Sequence, residues 1–252
     1  MRLRDYSEAI PKPMVPIGYR PILWHVMKYY AHFGHKDFIL CLGYKADVIK
    51  RYFLNYDEWL SNDFIIRQGG KQVEMLQTDI HDWNISFVDT GMNNNIGQRL
   101  KAVEEYLDGE EMFFANYSDG LTDASLDDIQ TSFHRYGGIG TFLCVKPTQS
   151  FHVVSLTDDD HVEDIHHIKK TPFWINGGFF IFRKEIFEYI HEGDELVEEP
   201  FRRLIENKSL YGHRYSGFWA SMDTLKERQM LEEMYTNEAA PWVFWKKQSS
   251  GK

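Results

Sequence analysis

Apolar and polar positions along this chain fall into two alternating rhythms. Residues Ile22–Phe33 carry apolar side chains at helical spacing, and Ala46–Leu60 gathers Val48, Ile49, Tyr52 and Phe53 on one helical face. Between them Asp37–Leu42 is a short, nearly unbroken apolar run, the pattern of a strand covered on both sides. A looser stretch with hairpin character follows. The alternation then resumes with strand Ile85–Asp89, helix Arg99–Leu107, strand Glu111–Tyr117, helix Leu126–Tyr136 and strand Thr141–Val145. Continuous apolar strands separated by amphipathic helices predict an α/β fold with a doubly wound, mainly parallel sheet packed on both faces.

The second half changes character. Val153–Leu156, His161–His166 and Trp174–Phe182 read as strands, separated by the turn Asp158-Asp159-Asp160 and the loop Lys169–Pro172. Helices are expected at Lys184–Ile190 and Pro200–Glu206, then strand Leu210–Tyr215 and a closing helix Leu225–Tyr235. This adds a small antiparallel extension to the sheet. One domain is expected over residues 1–245, with a polar tail at 246–252 and no repeat, low-complexity tract or linker.

Composition narrows the partners. With 252 residues and 43% apolar content the chain can bury a substantial core. A net charge of −10 argues against a nucleic-acid polymer but leaves room for a single nucleotide held by a few local cations. No apolar run reaches the roughly 18 residues that span a bilayer, and no signal-peptide pattern is present, so a soluble protein away from membranes is expected. Two cysteines, Cys41 and Cys144, each lie in an expected buried strand. Free thiols there fit a reducing cytoplasm.

Candidate chemistry begins with Pro11-Lys12-Pro13-Met14-Val15-Pro16-Ile17-Gly18. Each proline fixes its own φ and restricts the residue before it, so Lys12 is expected in extended backbone. A stiff loop presenting one lysine before a helix suits a phosphate site, although a proline-rich turn with a solvated lysine is the commoner use of such a segment. Asp119 follows an apolar strand and precedes Gly120, either as a turn residue or as a ligand outside a strand's carboxyl end. Asp223 and Thr224 open the last helix, and either can cap it. Arg99 reads equally as a ligand or as a solvated arginine at a helix start. Adjacent Gly177 and Gly178 in a strand mark a bulge or the close approach of a ligand. Trp219 either stacks on a ring or fills core. His161, His166 and His167 are expected to be solvated, because no cysteine or spaced carboxylate completes a metal set.

These segments together resemble the sugar-1-phosphate nucleotidylyltransferases, and their glucose-1-phosphate cytidylyltransferase branch in particular. The resemblance is carried by Arg2-Leu3, Pro11-Lys12-Pro13-Met14, Pro21-Ile22-Leu23-Trp24-His25, Tyr117-Ser118-Asp119-Gly120, Ile175-Asn176-Gly177-Gly178-Phe179-Phe180, Gly217-Phe218-Trp219 with Met222-Asp223-Thr224, and Ala240-Pro241-Trp242. It implies a Rossmann-like fold of the nucleotide-diphospho-sugar transferase type, with a nucleotide-binding half at 1–145 and a sugar-binding half at 146–245. Arg2 and Lys12 would be catalytic and would neutralise the triphosphate. Gly97, Arg99 and Asp119 would border the nucleotide, and Asn176, Gly177, Gly178, Glu199 and Trp219 the sugar. Asp119 and Asp223 would hold Mg²⁺.

The implied reaction joins CTP and α-D-glucose 1-phosphate into CDP-glucose and pyrophosphate. Thymidylyl, uridylyl and guanylyl enzymes share the architecture, so dTTP, UTP and GTP stay open, as do a homo-oligomer, a silent sugar-nucleotide-binding module and a subunit that pairs with a paralogue. Three departures from the family pattern stand out. Gln98 replaces a glycine, Gln149-Ser150-Phe151-His152 replaces Gly-Arg-Phe-Gly, and His166-His167-Ile168-Lys169-Lys170 replaces a Glu-Lys-Pro segment. The family's first strand and Gly-Gly-x-Gly-Thr loop would come immediately before Arg2-Leu3, where this sequence has Met1. From this, weak or no turnover and reduced stability are expected for the chain as written.

Overall fold

The computed structural model describes residues 10–148 and 150–246. Arg2 and Gln149 lie outside the described residues, as does the tail from 247 onward. The described chain opens on a 3-10 turn, Lys12–Met14, closed by Met14 N–H to Pro11 O (2.8 Å) and Val15 N–H to Lys12 O (3.2 Å). Lys12 is therefore in a turn and not extended as expected. Pro11 and Val15, on either side of the turn, keep the extended geometry, and Pro13 sits in a first turn, where its missing N–H costs nothing.

In chain order the elements are α1 (Ile22–His32), β1 (Asp37–Leu42), α2 (Ala46–Leu54), β2 (Phe64–Arg67), β3 (Gln72–Met75), β4 (Asn84–Asp89) and α3 (Ile96–Lys101). There follow β5 (Met112–Ala115), β6 (Gly120–Thr122), α4 (Leu126–Tyr136), β7 (Gly140–Val145), β8 (His152–Leu156), β9 (Val162–His167), β10 (Ile175–Asn176) and β11 (Phe180–Arg183). The last four are α5 (Glu199–Glu206), β12 (Leu210–Tyr215), β13 (Trp219–Ser221) and α6 (Leu225–Thr236).

Some boundaries differ from the sequence expectation for local reasons. Helix α2 stops at Leu54 because both the backbone and the side chain of Asn55 donate to Arg51 O, which ends the ladder, and Glu58–Leu60 forms a separate 3-10 turn. Helix α3 starts before Arg99, since Asn95 and Gln98 form a reciprocal capping box. Arg99 is thus inside the helix rather than at its start. Glu104–Leu107 and Lys184–Glu188 are 3-10 turns where α-helix was expected. The expected strand Trp174–Phe182 breaks in two around Gly178 (φ +77°) and Phe179 (φ +51°).

The two longest ladders of the core are parallel, β1 on β4 and β7 on β12. Strand β7 also pairs antiparallel with β10 and β11, and β11 continues antiparallel to β5, giving one five-stranded sheet. Alternation along β11 sends Ile181 to one face and Phe180 and Phe182 to the other. On the first face α1 and α4 contribute Ile22, Val26, Tyr29, Leu126, Ile129 and Phe133. On the second, Leu100 of α3 and Phe201 and Leu204 of α5 close over the phenylalanines. Helices on both faces of the sheet are the doubly wound arrangement that the apolar strands called for. The hairpins β2–β3 and β8–β9 stand apart as the antiparallel extensions.

Candidate active site

A short two-stranded ribbon brings distant carboxylates together. Strand β6 runs antiparallel to β13, with Gly120 opposite Ser221 and Thr122 opposite Trp219. Asp119 immediately precedes β6 and Asp223 lies just beyond β13, so the two aspartates share one end of the ribbon. The Met222 N–H donates to Asp119 O (3.0 Å) and fixes the join.

Both carboxylates converge on one ammonium group. Lys12 Nζ contacts Asp119 Oδ2 and lies 2.6 Å from Asp223 Oδ1. Burial works against the lysine's charge, but the adjacent Asp119 and Asp223 outweigh it and hold the ammonium above its usual range. Burial likewise works against ionised Asp223, yet the hydrogen bonds from Lys12 and Ser221 keep its carboxyl below the usual range. The Asp223 side chain is 58% exposed and Asp119 21%, so the cluster opens to solvent on the Asp223 side. Asp223 is not the helix cap. Thr224 caps α6 in a capping box with Glu227, whose carboxylate accepts from the Asp223 and Thr224 N–H groups. The Asp223 carboxylate is thereby left for other partners.

The convergence of two carboxylate oxygens on a single cation fits a hard divalent ion such as Mg²⁺, which takes oxygen ligands and often only one or two from protein. Among the described residues no group of three or more His, Cys, Asp or Glu could hold a metal without help. Remaining ligands would come from phosphate and water. His161 and His166 instead pair with Asp159 and Asp164 on the β8–β9 hairpin.

The glycine bulge lies beside the β6–β13 ribbon. Asn176 donates through Nδ2 to the Tyr117 hydroxyl (3.1 Å) and accepts the Gly178 N–H at Oδ1 (2.9 Å). Trp219 Nε1 donates to Gly177 O (2.8 Å), so this ring is committed to the bulge while it packs against the core. A Cβ at Gly178 would fall 2.5 Å from Asn116 Oδ1, which accepts the Phe179 N–H (2.9 Å). Glycine is needed here for both reasons, the left-handed φ and the close approach. Asn116 was not singled out from sequence. Its one signal is an asparagine at the end of a strand, a residue type suited to bonding irregular backbone.

Gly97 and Arg99 occupy a different wall. A Cβ at Gly97 would fall 2.4 Å from Asp194 O, so this glycine lets α3 lie directly on the 194–196 backbone. The Arg99 guanidinium donates to Thr90 Oγ1 (2.9 Å) and Met92 O (3.3 Å) and covers Gly43, at the carboxyl ends of β1 and β4. Glu199, in the first turn of α5, accepts the Glu195 N–H (3.2 Å). Lys169 and Lys170 are exposed on a 3-10 turn after β9. The expected sites thus form two groups, the Lys12–Asp119–Asp223 cluster joined through Tyr117 to the bulge, and the Arg99 corner.

Comparison with known proteins gives a consistent result. Residues 1–226 match the nucleotidyl transferase family. The glucose-1-phosphate cytidylyltransferase of Salmonella typhimurium is 35% identical over 246 residues, covering 97% of this chain and 95% of that protein. A Bacillus subtilis relative named probable glucose-1-phosphate cytidylyltransferase is 32% identical over 246 residues, with 97% and 95% covered. Among solved structures, an apo UDP-glucose pyrophosphorylase superposes with a TM-score of 0.66 at 14% identity, over 92% of this chain and 93% of that one. At that identity the likeness establishes the fold alone, a Rossmann-like α/β fold of the nucleotide-diphospho-sugar transferase type.

Proposed function

This chain belongs to the nucleotidyl transferase family and is a nucleotidyltransferase, and we propose that it joins CTP to α-D-glucose 1-phosphate. The products are CDP-glucose and pyrophosphate. The base and sugar are taken from relatives at 32% and 35% identity. The observation that carries the chemistry is the meeting of Asp119, Asp223 and Lys12 at one end of the β6–β13 ribbon.

A sugar-phosphate oxygen forms a bond to the α-phosphorus of CTP while the bond to the bridging oxygen of the leaving pyrophosphate breaks. A phosphate monoester has a second pKa of about 6, so the attacking oxygen is already ionised at neutral pH and needs no general base. The protein's work is alignment and charge neutralisation. Asp119 and Asp223 would hold Mg²⁺, which when bound offsets triphosphate charge. Lys12, already held close to both carboxylates, is placed to neutralise charge building on the departing phosphates. Arg2, outside the described residues, is proposed for the same task. The bulge at Gly177–Phe179 shapes the sugar side, and Arg99 the nucleotide side.

The test is an Asp223→Asn variant assayed for nucleotide-sugar formation and for thermal stability together. Turnover should fall about 100-fold, in line with removing one electrostatic contact to the reacting phosphates. Because Thr224 and Glu227 cap α6 without it, stability should stay within about 0.5 kcal/mol. Equal losses in both would mark Asp223 as a structural residue and sink the assignment.

A further inference from the structure

The β6–β13 ribbon has two ends, and Asp119 and Asp223 stand at one of them. Each strand is three residues long, and a two-stranded ribbon of that size is marginal by itself. A slip of one residue along a strand is about 3.3 Å, more than the roughly 2 Å of a Mg²⁺–oxygen bond. The two aspartates can share one ion only while the register holds. At their own end the Met222 N–H bond to Asp119 O joins the strands (3.0 Å). The far end needs a fastening of its own.

Asp123 supplies it. This residue follows β6, four positions beyond Asp119, which is about 13 Å of extended chain. Its Oδ1 accepts two hydrogen bonds, from the Phe218 N–H just ahead of β13 (2.8 Å) and from the Tyr215 hydroxyl (2.5 Å). The Asp123 N–H donates in turn to Phe218 O (3.3 Å), and Thr122 Oγ1 donates to the same carbonyl (2.7 Å). Asp123 and Phe218 are thus tied in both directions across the ribbon. Tyr215 is the last residue of β12, opposite Val145 of β7, so the second bond anchors the ribbon to the five-stranded sheet. Burial, and then the Asp123 hydrogen bond and charge, push the Tyr215 phenol up, which keeps it a donor. Packing steadies both sides of the clasp. Phe218 stacks on the buried Trp242 (5.4 Å between rings), and the Tyr29 hydroxyl of α1 donates to Ala124 O (2.9 Å).

We propose that Asp123 is a positioning residue for the divalent ion: by clasping Phe218 and Tyr215 it fixes the register of β6 on β13, and with it the separation of Asp119 and Asp223. This rests on the nucleotidyl-transfer reading above. Asp123 acts through the ribbon, and a displacement of about 1 Å at a reacting centre can cost about 100-fold in rate.

The test compares the wild type with Asp123→Ala, Asp123→Asn and Tyr215→Phe, each well below its melting temperature. Electron paramagnetic resonance measures Mn²⁺ binding without nucleotide, and steady-state kinetics follow nucleotide-sugar formation. Asp123→Ala removes the shared acceptor. Its Mn²⁺ affinity should weaken about tenfold and its kcat fall about 100-fold, while KM for glucose 1-phosphate stays within about threefold. Asparagine keeps an Oδ1 acceptor and should return Mn²⁺ affinity and kcat to within about threefold of the wild type. If Asp123→Ala does not fold, Tyr215→Phe decides, since it loses one of the two bonds and should bind Mn²⁺ about threefold more weakly. A residue that only stabilised the fold would lower the melting temperature and leave Mn²⁺ affinity of the folded protein unchanged. That result would overturn the proposal, as would failure of asparagine to restore binding or turnover by a wild type that binds no Mn²⁺. Absence of nucleotide sugar from the folded wild type with CTP, dTTP, UTP and GTP in turn would instead overturn the nucleotidyl-transfer reading, and this assignment with it.

Discussion

Lys12 stands where a metal ion would compete with it. One ammonium bridges two carboxylates far apart in the chain, so in the ligand-free protein part of their charge is already neutralised. A divalent ion arriving alone must displace that charge, whereas one arriving with a triphosphate offers the lysine new anionic partners. Lys12→Met should therefore strengthen binding of Mn²⁺ in the absence of nucleotide by roughly tenfold, the scale of removing one partly solvated ion pair, while weakening nucleotide affinity. Electron paramagnetic resonance of free Mn²⁺ measures the first effect directly. Unchanged or weaker metal binding in the variant would mean that the lysine does not occupy the ion's place. Asp119 and Asp223 were legible in the sequence because each sits in a local segment that can be recognised on its own. Asn116 was not, since its role comes from a contact with backbone far along the chain.

The β6–β13 ribbon and the β10–β11 bulge determine the geometry at the scale of elements. The bulge depends on Asn116, which holds a non-glycine residue, Phe179, in a left-handed conformation (φ +51°). Asn116→Ala leaves the Phe179 N–H without its acceptor and should cost about 1–3 kcal/mol in denaturant unfolding. Asn116→Asp keeps an acceptor and should recover most of the loss. If both variants unfold like the wild type, the bulge is held by other contacts. Periodicity found α1, β1, α4 and β12 within a residue or so, because long apolar patterns report burial directly. It overran α2 and ran β10 and β11 together. In the first case a single asparagine ends the helix, and in the second two left-handed residues interrupt a strand whose apolar pattern continues. The extended Lys12 was a similar miss, where two backbone hydrogen bonds outweighed the local proline preference.

Across the whole molecule, burial tunes stability against acid. His32, His35 and His213 all have pKa values lowered from the ordinary 6.5, in each case chiefly by burial. The unfolded chain takes up protons near that ordinary value while the folded chain resists them, so folding stability is intact above it and declines as pH falls below it. The depressed carboxyl of Asp223 acts with the same sign at lower pH still. Melting temperature should fall steadily as pH drops from about 7 toward 5. A melting temperature that rises over that range would contradict the burial of these histidines. The doubly wound architecture itself was legible from the alternation of apolar strands and amphipathic helices. The pairing of β6 with β13 was not, because two three-residue strands carry too little pattern to reveal a partner far along the chain.

The most direct test of the account is Mg²⁺-dependent release of pyrophosphate from CTP and glucose 1-phosphate, followed with CDP-glucose formation. It compares the protein with its Asp119→Asn variant. The account predicts CDP-glucose and pyrophosphate in equal amounts from the wild type and about 100-fold slower formation of both in the variant. Absence of any nucleotide sugar from the folded wild type, supplied in turn with CTP, dTTP, UTP and GTP, would contradict it.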